Sequence, residues 1–226
     1  MQSLEKNKTW TLTTLPAGRQ AIQNRWVFKL KLDGDGAVRR YKARLVAKGF
    51  SQRPGADFEK TFSPVVKHDS LRAVLAVAAQ MDLHMLQLDV KTAFLNGDLH
   101  EELYMAQPSG FVVKGREAEV CKLNRSLYGL KQVSRAWNQK FHGFLTKFGF
   151  IRSSADSCVY VKSEKSTLTL IAIWVDDGLI CSSDMKKLDS VVEYLSQNFE
   201  MTCGPVDCFV GIQITRDRFN KTIHLS

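Results

Sequence analysis

The sequence predicts one compact α+β unit of antiparallel strands with helices on one face. Three observations predict it. Hairpin patterns, with apolar residues alternating against polar ones around Gly- and Asp-rich turns, occur at residues 25–50 and again towards the C-terminal end. Helical periodicity is confined to segments near 69–81, 133–148 and 184–199. No internal repeat, low-complexity tract or linker divides the 226 residues.

The elements follow in order. Arg25 to Leu32 alternates apolar and basic residues, Asp33-Gly34-Asp35-Gly36 supplies turn residues that tolerate positive φ, and a second strand runs from about Val38 to Val46. Residues 51–68 hold two prolines and little periodicity, and read as a loop. Asp69 or Ser70 can cap a helix to about Met81, with Leu71, Val74, Leu75 and Ala78 on one face. A strand from Met85 to Val90 and a turn at Asn96-Gly97-Asp98 come next, then an irregular stretch over 107–118. Trp137, Phe141, Phe144, Leu145 and Phe148 form a helical stripe that Gly149 ends. Cys158–Lys162 and Thr167–Val175 are strand candidates. Asp184 can cap a last helix with Leu188, Val191, Val192, Leu195 and Phe199 inward. Phe209–Ile214, a polar turn at 216–221 and Thr222–Leu225 make the closing hairpin.

Composition excludes several classes. Hydrophobic residues at 44% and charged residues at 24% rule out disorder, collagen and a disulfide-stapled miniprotein. No apolar run is long enough to cross a bilayer, and MQSLEKNKTW has no signal-peptide core. Five cysteines without paired spacing fit a reducing compartment. Cys203 and Cys208 lack the partners that would complete a zinc site. Residues 1–60 carry thirteen Lys/Arg against five Asp/Glu, which is +8 of the chain's net +9. So local an excess suits a polyanion-binding face, although a solvated lysine-rich surface is the plainer reading of charge by itself.

The sharpest local feature is LTLIAIWVDDGLICSS. Adjacent Asp176 and Asp177 interrupt an apolar β-run, although Asp is a poor strand residue. Asp-Asp-Gly suits a tight turn, so the pair is expected at a hairpin tip. Asp89 ends a similar apolar strand. Carboxylates at the ends of neighbouring strands have the oxygen chemistry to hold two divalent ions, which can activate a hydroxyl and stabilise a leaving pyrophosphate. The same pattern also occurs in plain solvated turns.

In this order, QLDVKTAFLNGDL, LYGLKQVSRAW and WVDDGLI resemble the reverse transcriptase of copia-type retrotransposon Pol polyproteins. RWVFKLK, RYKARLVAKGFSQ and FVGIQI extend the resemblance to nearly the whole chain. The implied fold is the fingers and palm of a right-handed polymerase, with fingers mainly over 20–68, palm mainly over 69–226, and no thumb or ribonuclease H following. The implied catalytic and metal-binding residues are Asp89, Asp176 and Asp177, holding two Mg²⁺ ions, with Mn²⁺ as a substitute. Phe94 matches the aromatic beneath the incoming sugar. Lys42 and Arg44 match the cations on the triphosphate, with Lys29 and Lys31 behind them. Tyr128, Gly129 and Gln132 match the nucleotide-lining block, and Lys131, Trp174, Phe209 and Gly211 the contacts to primer and template.

The resemblance implies an RNA-directed DNA polymerase acting on dNTPs and an RNA or DNA template–primer. Other segments of a Pol polyprotein are implied partners, and a membrane is not. The implied location is intracellular, in a cytoplasmic particle and in the nucleus. Three departures stand out: Trp174 replaces the usual Tyr, Val133-Ser134 replaces Ala/Ser-Pro, and the segment that is usually Lys-Asp-Leu-Gly is Thr202-Cys203-Gly204. They keep open a second reading, a silent remnant that at most binds nucleic acid. A metal nuclease is a third reading, and it leaves Phe94 and the basic hairpin unexplained.

Overall fold

A computed structural model describes residues 1–32 and 36–226, and the Asp33–Asp35 part of the expected turn lies outside the described residues. The chain opens with helix α1 (Gln2–Lys6) and strands β1 (Trp10–Thr13), β2 (Asn24–Leu32) and β3 (Val38–Ala47). A 3-10 turn at Gly49–Ser51, helix α2 (His68–Gln80), strand β4 (His84–Val90) and the one-turn helix α3 (Ala93–Asn96) follow. Next come β5 (Tyr104–Met105), β6 (Val120–Leu123), α4 (Val133–Lys147), β7 (Ile151–Arg152), β8 (Val159–Glu164), β9 (Thr167–Trp174) and β10 (Asp177–Ser182). Helix α5 (Met185–Ser196) precedes β11 (Met201–Gly204), β12 (Cys208–Phe209), β13 (Ile212–Asp217) and β14 (Thr222–Leu225).

The described residues form two compact units, Met1–Phe62 with Phe94–Trp137, and Ser63–Ala93 with Asn138–Ser226. Residues 94–137, expected with the palm, thus cluster with the N-terminal segment.

In the first unit, β1, β6 and β5 form a three-stranded antiparallel sheet, and β2 and β3 form the basic hairpin. Alternation along the hairpin puts Trp26, Phe28, Tyr41, Ala43 and Leu45 on one face, and Val27, Lys29, Lys42 and Arg44 on the other. Leu45 and Ala47 anchor its base in a core with Ile22, Met105, Leu127 and Leu130. Further out, Phe28 and Tyr41 are exposed. The chain after β3 runs hard against the 128–130 turn. A Cβ on Gly129, whose φ is +89, would meet the Ala47 carbonyl oxygen at 2.1 Å, and one on Gly49 would meet the Gly129 oxygen at 2.0 Å. Only glycine permits that backbone approach.

In the second unit, six antiparallel strands lie in the order β11-β4-β10-β9-β8-β7, and β12, β13 and β14 form a separate sheet. Helix α2 buries Leu71, Val74, Leu75 and Ala78 against Val159, Leu170, Ala172, Leu179 and Cys181 of one sheet face. Tyr160 points to the opposite face and meets His142 of α4, with ring centroids 5.8 Å apart. Both faces are therefore covered, which corrects the expectation of helices on one face. The reason is visible in β9, where consecutive residues Leu170, Ile171, Ala172 and Ile173 are all buried, so either face left bare would expose apolar area.

Two further expectations are corrected at element ends. Helix α2 starts at His68, with Lys67 at its N-cap and no side-chain cap bond. Asp69 lies in the first turn, where its charge suits the positive end of the helix. The run 209–214 is not one strand: Val210 and Gly211, both at positive φ, fold β12 back onto β13. Asp184 does cap α5, accepting from the Lys186 backbone N–H at 2.8 Å.

Candidate active site

The second unit assembles the carboxylates through strand register. Asp177, the first residue of β10, pairs with Asp89 on β4 and with Trp174 on β9. Thr202 on β11 pairs with Asp89 from the other side. Trp174, Asp177, Asp89 and Thr202 thus form one cross-strand row on the face that α2 covers farther along. Residues directly opposite have Cβ atoms about 5 Å apart, and like charges so placed repel. The row sets two carboxylates face to face at a sheet end, where a cation would relieve them.

Asp176 is held differently. The tight turn is Val175-Asp176, not Asp-Asp-Gly. Gly178 lies inside β10, where an added Cβ would come within 3.2 Å of Ile173 and 3.4 Å of Leu88. The Asp176 carbonyl accepts the Val90 N–H at 2.9 Å, tying the turn to the end of β4. Val175 takes φ +56, a left-handed conformation that a β-branched residue adopts only under constraint. Strain is therefore stored next to the carboxylates.

The first unit builds a second cluster. The Arg44 guanidinium lies 5.4 Å from the Tyr128 ring centroid. On Tyr128 rests Phe94, with centroids 4.9 Å apart and planes tilted by 58°. The Tyr128 carbonyl accepts the Ala47 N–H at 2.7 Å, and the Phe94 carbonyl accepts from the Ser126 hydroxyl. Arg44 Nε is buried without a hydrogen-bond partner.

Residues 7–226 match the model of the family described as reverse transcriptase (RNA-dependent DNA polymerase). The chain belongs to the reverse transcriptase family. It is 47% identical over 228 residues to the retrovirus-related Pol polyprotein from transposon TNT 1-94 of Nicotiana tabacum, covering 100% of the chain and 17% of that protein. It is 42% identical over 212 residues to the retrovirus-related Pol polyprotein from transposon RE1 of Arabidopsis thaliana, covering 93% of the chain and 14% of that protein. The expected kinship with copia-type transposon polyproteins is borne out, and the chain spans about a sixth of these relatives' length. Apo telomerase from Candida tropicalis aligns with 99% of the chain and 58% of its own at 10% identity, with a TM-score of 0.47, too slight to carry the fold.

The other reverse transcriptase positions are placed unevenly. Lys42 is half-buried on β3 opposite Lys29, on the same strand face as Arg44. Gln132 is buried, accepting from Gln52 Nε2 at 3.0 Å and donating to the Asp57 carbonyl at 3.0 Å, so both its amide atoms serve the interior. Lys131 is exposed, its ammonium 4.6 Å from the Phe58 ring centroid and donating to the Gln52 carbonyl. Phe209 is wholly buried among Leu83, Val206 and Ile214. Gly211 is exposed in its turn, and Trp174 is half-buried with its ring 6.1 Å from His68. Thr202 and Val175 beside the carboxylates of the second unit, and Gln52 beside Gln132 in the first, carry no sequence signal, because register, φ and burial are tertiary facts.

Among the described residues, no three His, Cys, Asp or Glu side chains converge as a ready metal cage. The donor set still suits Mg²⁺, which is commonly held by one or two carboxylates with water and substrate phosphates completing its shell. Asp89 and Asp177 would supply that pair, and Asp176 stands in the adjoining turn.

Proposed function

We propose that the chain is the polymerase portion of a retrotransposon Pol polyprotein, copying a primed RNA or DNA template with dNTPs. The opposition of Asp89 and Asp177 across β4 and β10, with Asp176 in the turn beside them, carries this reading. Asp89, Asp176 and Asp177 would hold the divalent ions. When bound, two such ions lower the pKa of the primer hydroxyl and neutralise the leaving pyrophosphate. The primer 3′-oxygen attacks the α-phosphorus, the bond to pyrophosphate breaks, and the hydroxyl proton leaves to solvent.

Within this reading the chain's own residues position the reactants. Lys42 and Arg44 neutralise the triphosphate, with Lys29 opposite. Phe94 lies beneath the sugar, where a 2′-hydroxyl would collide with an apolar ring and lose its hydrogen bonds. Trp174 and the Val210-Gly211 turn face the primer end, and the positive charge of residues 1–60 holds template phosphates. The protein works inside the cell, in a cytoplasmic particle and in the nucleus.

Primer extension on an RNA template, with and without Mg²⁺, tests the proposal. Metal-dependent extension that Asp176→Asn abolishes is expected. Duplex binding without extension would identify a silent remnant, and template degradation a nuclease.

A further inference from the structure

Phe94 sits on the four-residue helix α3, and so short a helix has little stability of its own. Its ring is only half-buried, so the core does not clamp it on all sides. A ring that rejects a single hydroxyl must nonetheless be fixed to a fraction of an ångström. Something else has to hold it.

The candidate is the ring it touches. Tyr128 packs against Phe94 at 4.9 Å and 58°, a tilted geometry favourable for an aromatic pair. Tyr128 is itself unusually well fixed. Its carbonyl accepts the Ala47 N–H at 2.7 Å. The next residue, Gly129, presses its backbone on Ala47, and Gly49 presses on Gly129, with no room for a methyl at either contact. The Arg44 guanidinium caps the Tyr128 ring. The tyrosine is therefore bolted to strand β3 through backbone, and Phe94 leans on it.

We infer that Tyr128 is a positioning residue for sugar selection, holding the Phe94 ring in place from the β3 hairpin. The inference rests on the reading of Phe94 as the residue beneath the sugar. It also joins two parts of that reading, because the cation assigned to the triphosphate and the ring assigned to the sugar contact the same side chain. A nucleotide whose phosphates draw on Arg44 thereby bears on the support of the ring that inspects its sugar.

The test compares kcat/KM for dCTP and CTP in single-nucleotide extension of a primed RNA template with Mg²⁺. Tyr128→Ala should lower the deoxy/ribo ratio about fivefold, the equivalent of one aromatic contact. Phe94→Val should lower it in the same direction, and the double variant no further. Tyr128→Phe, which keeps the ring, should preserve the ratio. Tyr128→Leu, which fills much of the volume without a ring, serves if the alanine variant fails to fold, and it should lower the ratio too. An unchanged ratio in Tyr128→Ala or Tyr128→Leu, alongside a lowered one in Phe94→Val, overturns the positioning role alone. An unchanged ratio in Phe94→Val removes the gate reading, and the inference with it. A parent that incorporates neither nucleotide overturns both.

Discussion

Replacing Gly129 by alanine should damage the first unit far more than a single methyl group suggests. Its φ is +89, so an L-residue there pays about 1–2 kcal/mol for the left-handed backbone. The new Cβ would sit 2.1 Å from the Ala47 carbonyl oxygen and 2.6 Å from Val46 Cγ1, roughly 1 Å inside normal contact. Relief requires the turn to move off β3, adding about 1–3 kcal/mol of overpacking. That movement also stretches the 2.7 Å bond from the Ala47 N–H to the Tyr128 carbonyl, worth about 1 kcal/mol. The total is about 3–6 kcal/mol, or a melting temperature lower by about 10–15 °C for a chain of this size. Gly110 is the control. It has φ +81, lies in the same unit, and an added Cβ there meets nothing within 4 Å. Gly110→Ala should cost only the backbone part, about 1–2 kcal/mol. Thermal melts of the three proteins followed by circular dichroism decide the matter, and equal losses in the two variants would refute the contact argument.

Three other outcomes are expected. Asp89→Asn removes a charge opposite Asp177, so without divalent ions the variant should melt about 1–3 °C higher than the parent. The parent should gain stability with Mg²⁺ and the variant should not; a lower melting point or an undiminished Mg²⁺ gain would count against the carboxylate pair. Val175→Gly relieves about 1–2 kcal/mol of left-handed strain and costs about 0.5–1 kcal/mol in chain entropy, so stability should hold while the looser turn slows extension. A fall of more than about 3 °C would show that the valine is not strained. The Arg218 and Arg216 guanidiniums hold the Asp82 carboxyl below its usual 3.8, so its stabilising contribution is present above that value and fades as pH falls below it. Asp82→Asn should therefore lower the urea midpoint at pH 7 and converge with the parent near pH 2, and an equal deficit at both pH values would contradict the linkage.

The sequence made local features legible where physics is local. The Leu71, Val74, Leu75 and Ala78 stripe, the Asp184 cap and the β2–β3 alternation all follow from neighbours a few residues apart. The three aspartates stood out because Asp is out of place in an apolar strand, and the strand register sets Asp89 opposite Asp177 with Asp176 in the adjoining turn. What escaped depends on distant pairing. Asp-Asp-Gly is a better turn former than Val-Asp, yet pairing Asp177 with both Trp174 and Asp89 forces the turn one residue earlier and makes a valine bear it. Gln132 and Phe209 matched family positions by identity, and identity does not reveal burial. The Gly49–Gly129 contact joins segments eighty residues apart that share no pattern.

The same pairing has a consequence for the timing of synthesis. Asp89 leaves the ribosome long before Asp177, and at about 5–20 residues per second the wait is roughly 4–18 s. Strand β4 needs β10 on one side and β11, ending at Gly204, on the other. Until both have been made, the growing chain has the basic hairpin of β2 and β3 but no facing carboxylates. A chain arrested between the end of β3 and residue 177 carries the basic hairpin without the carboxylate pair, so on the proposed function it would hold template phosphates without copying them.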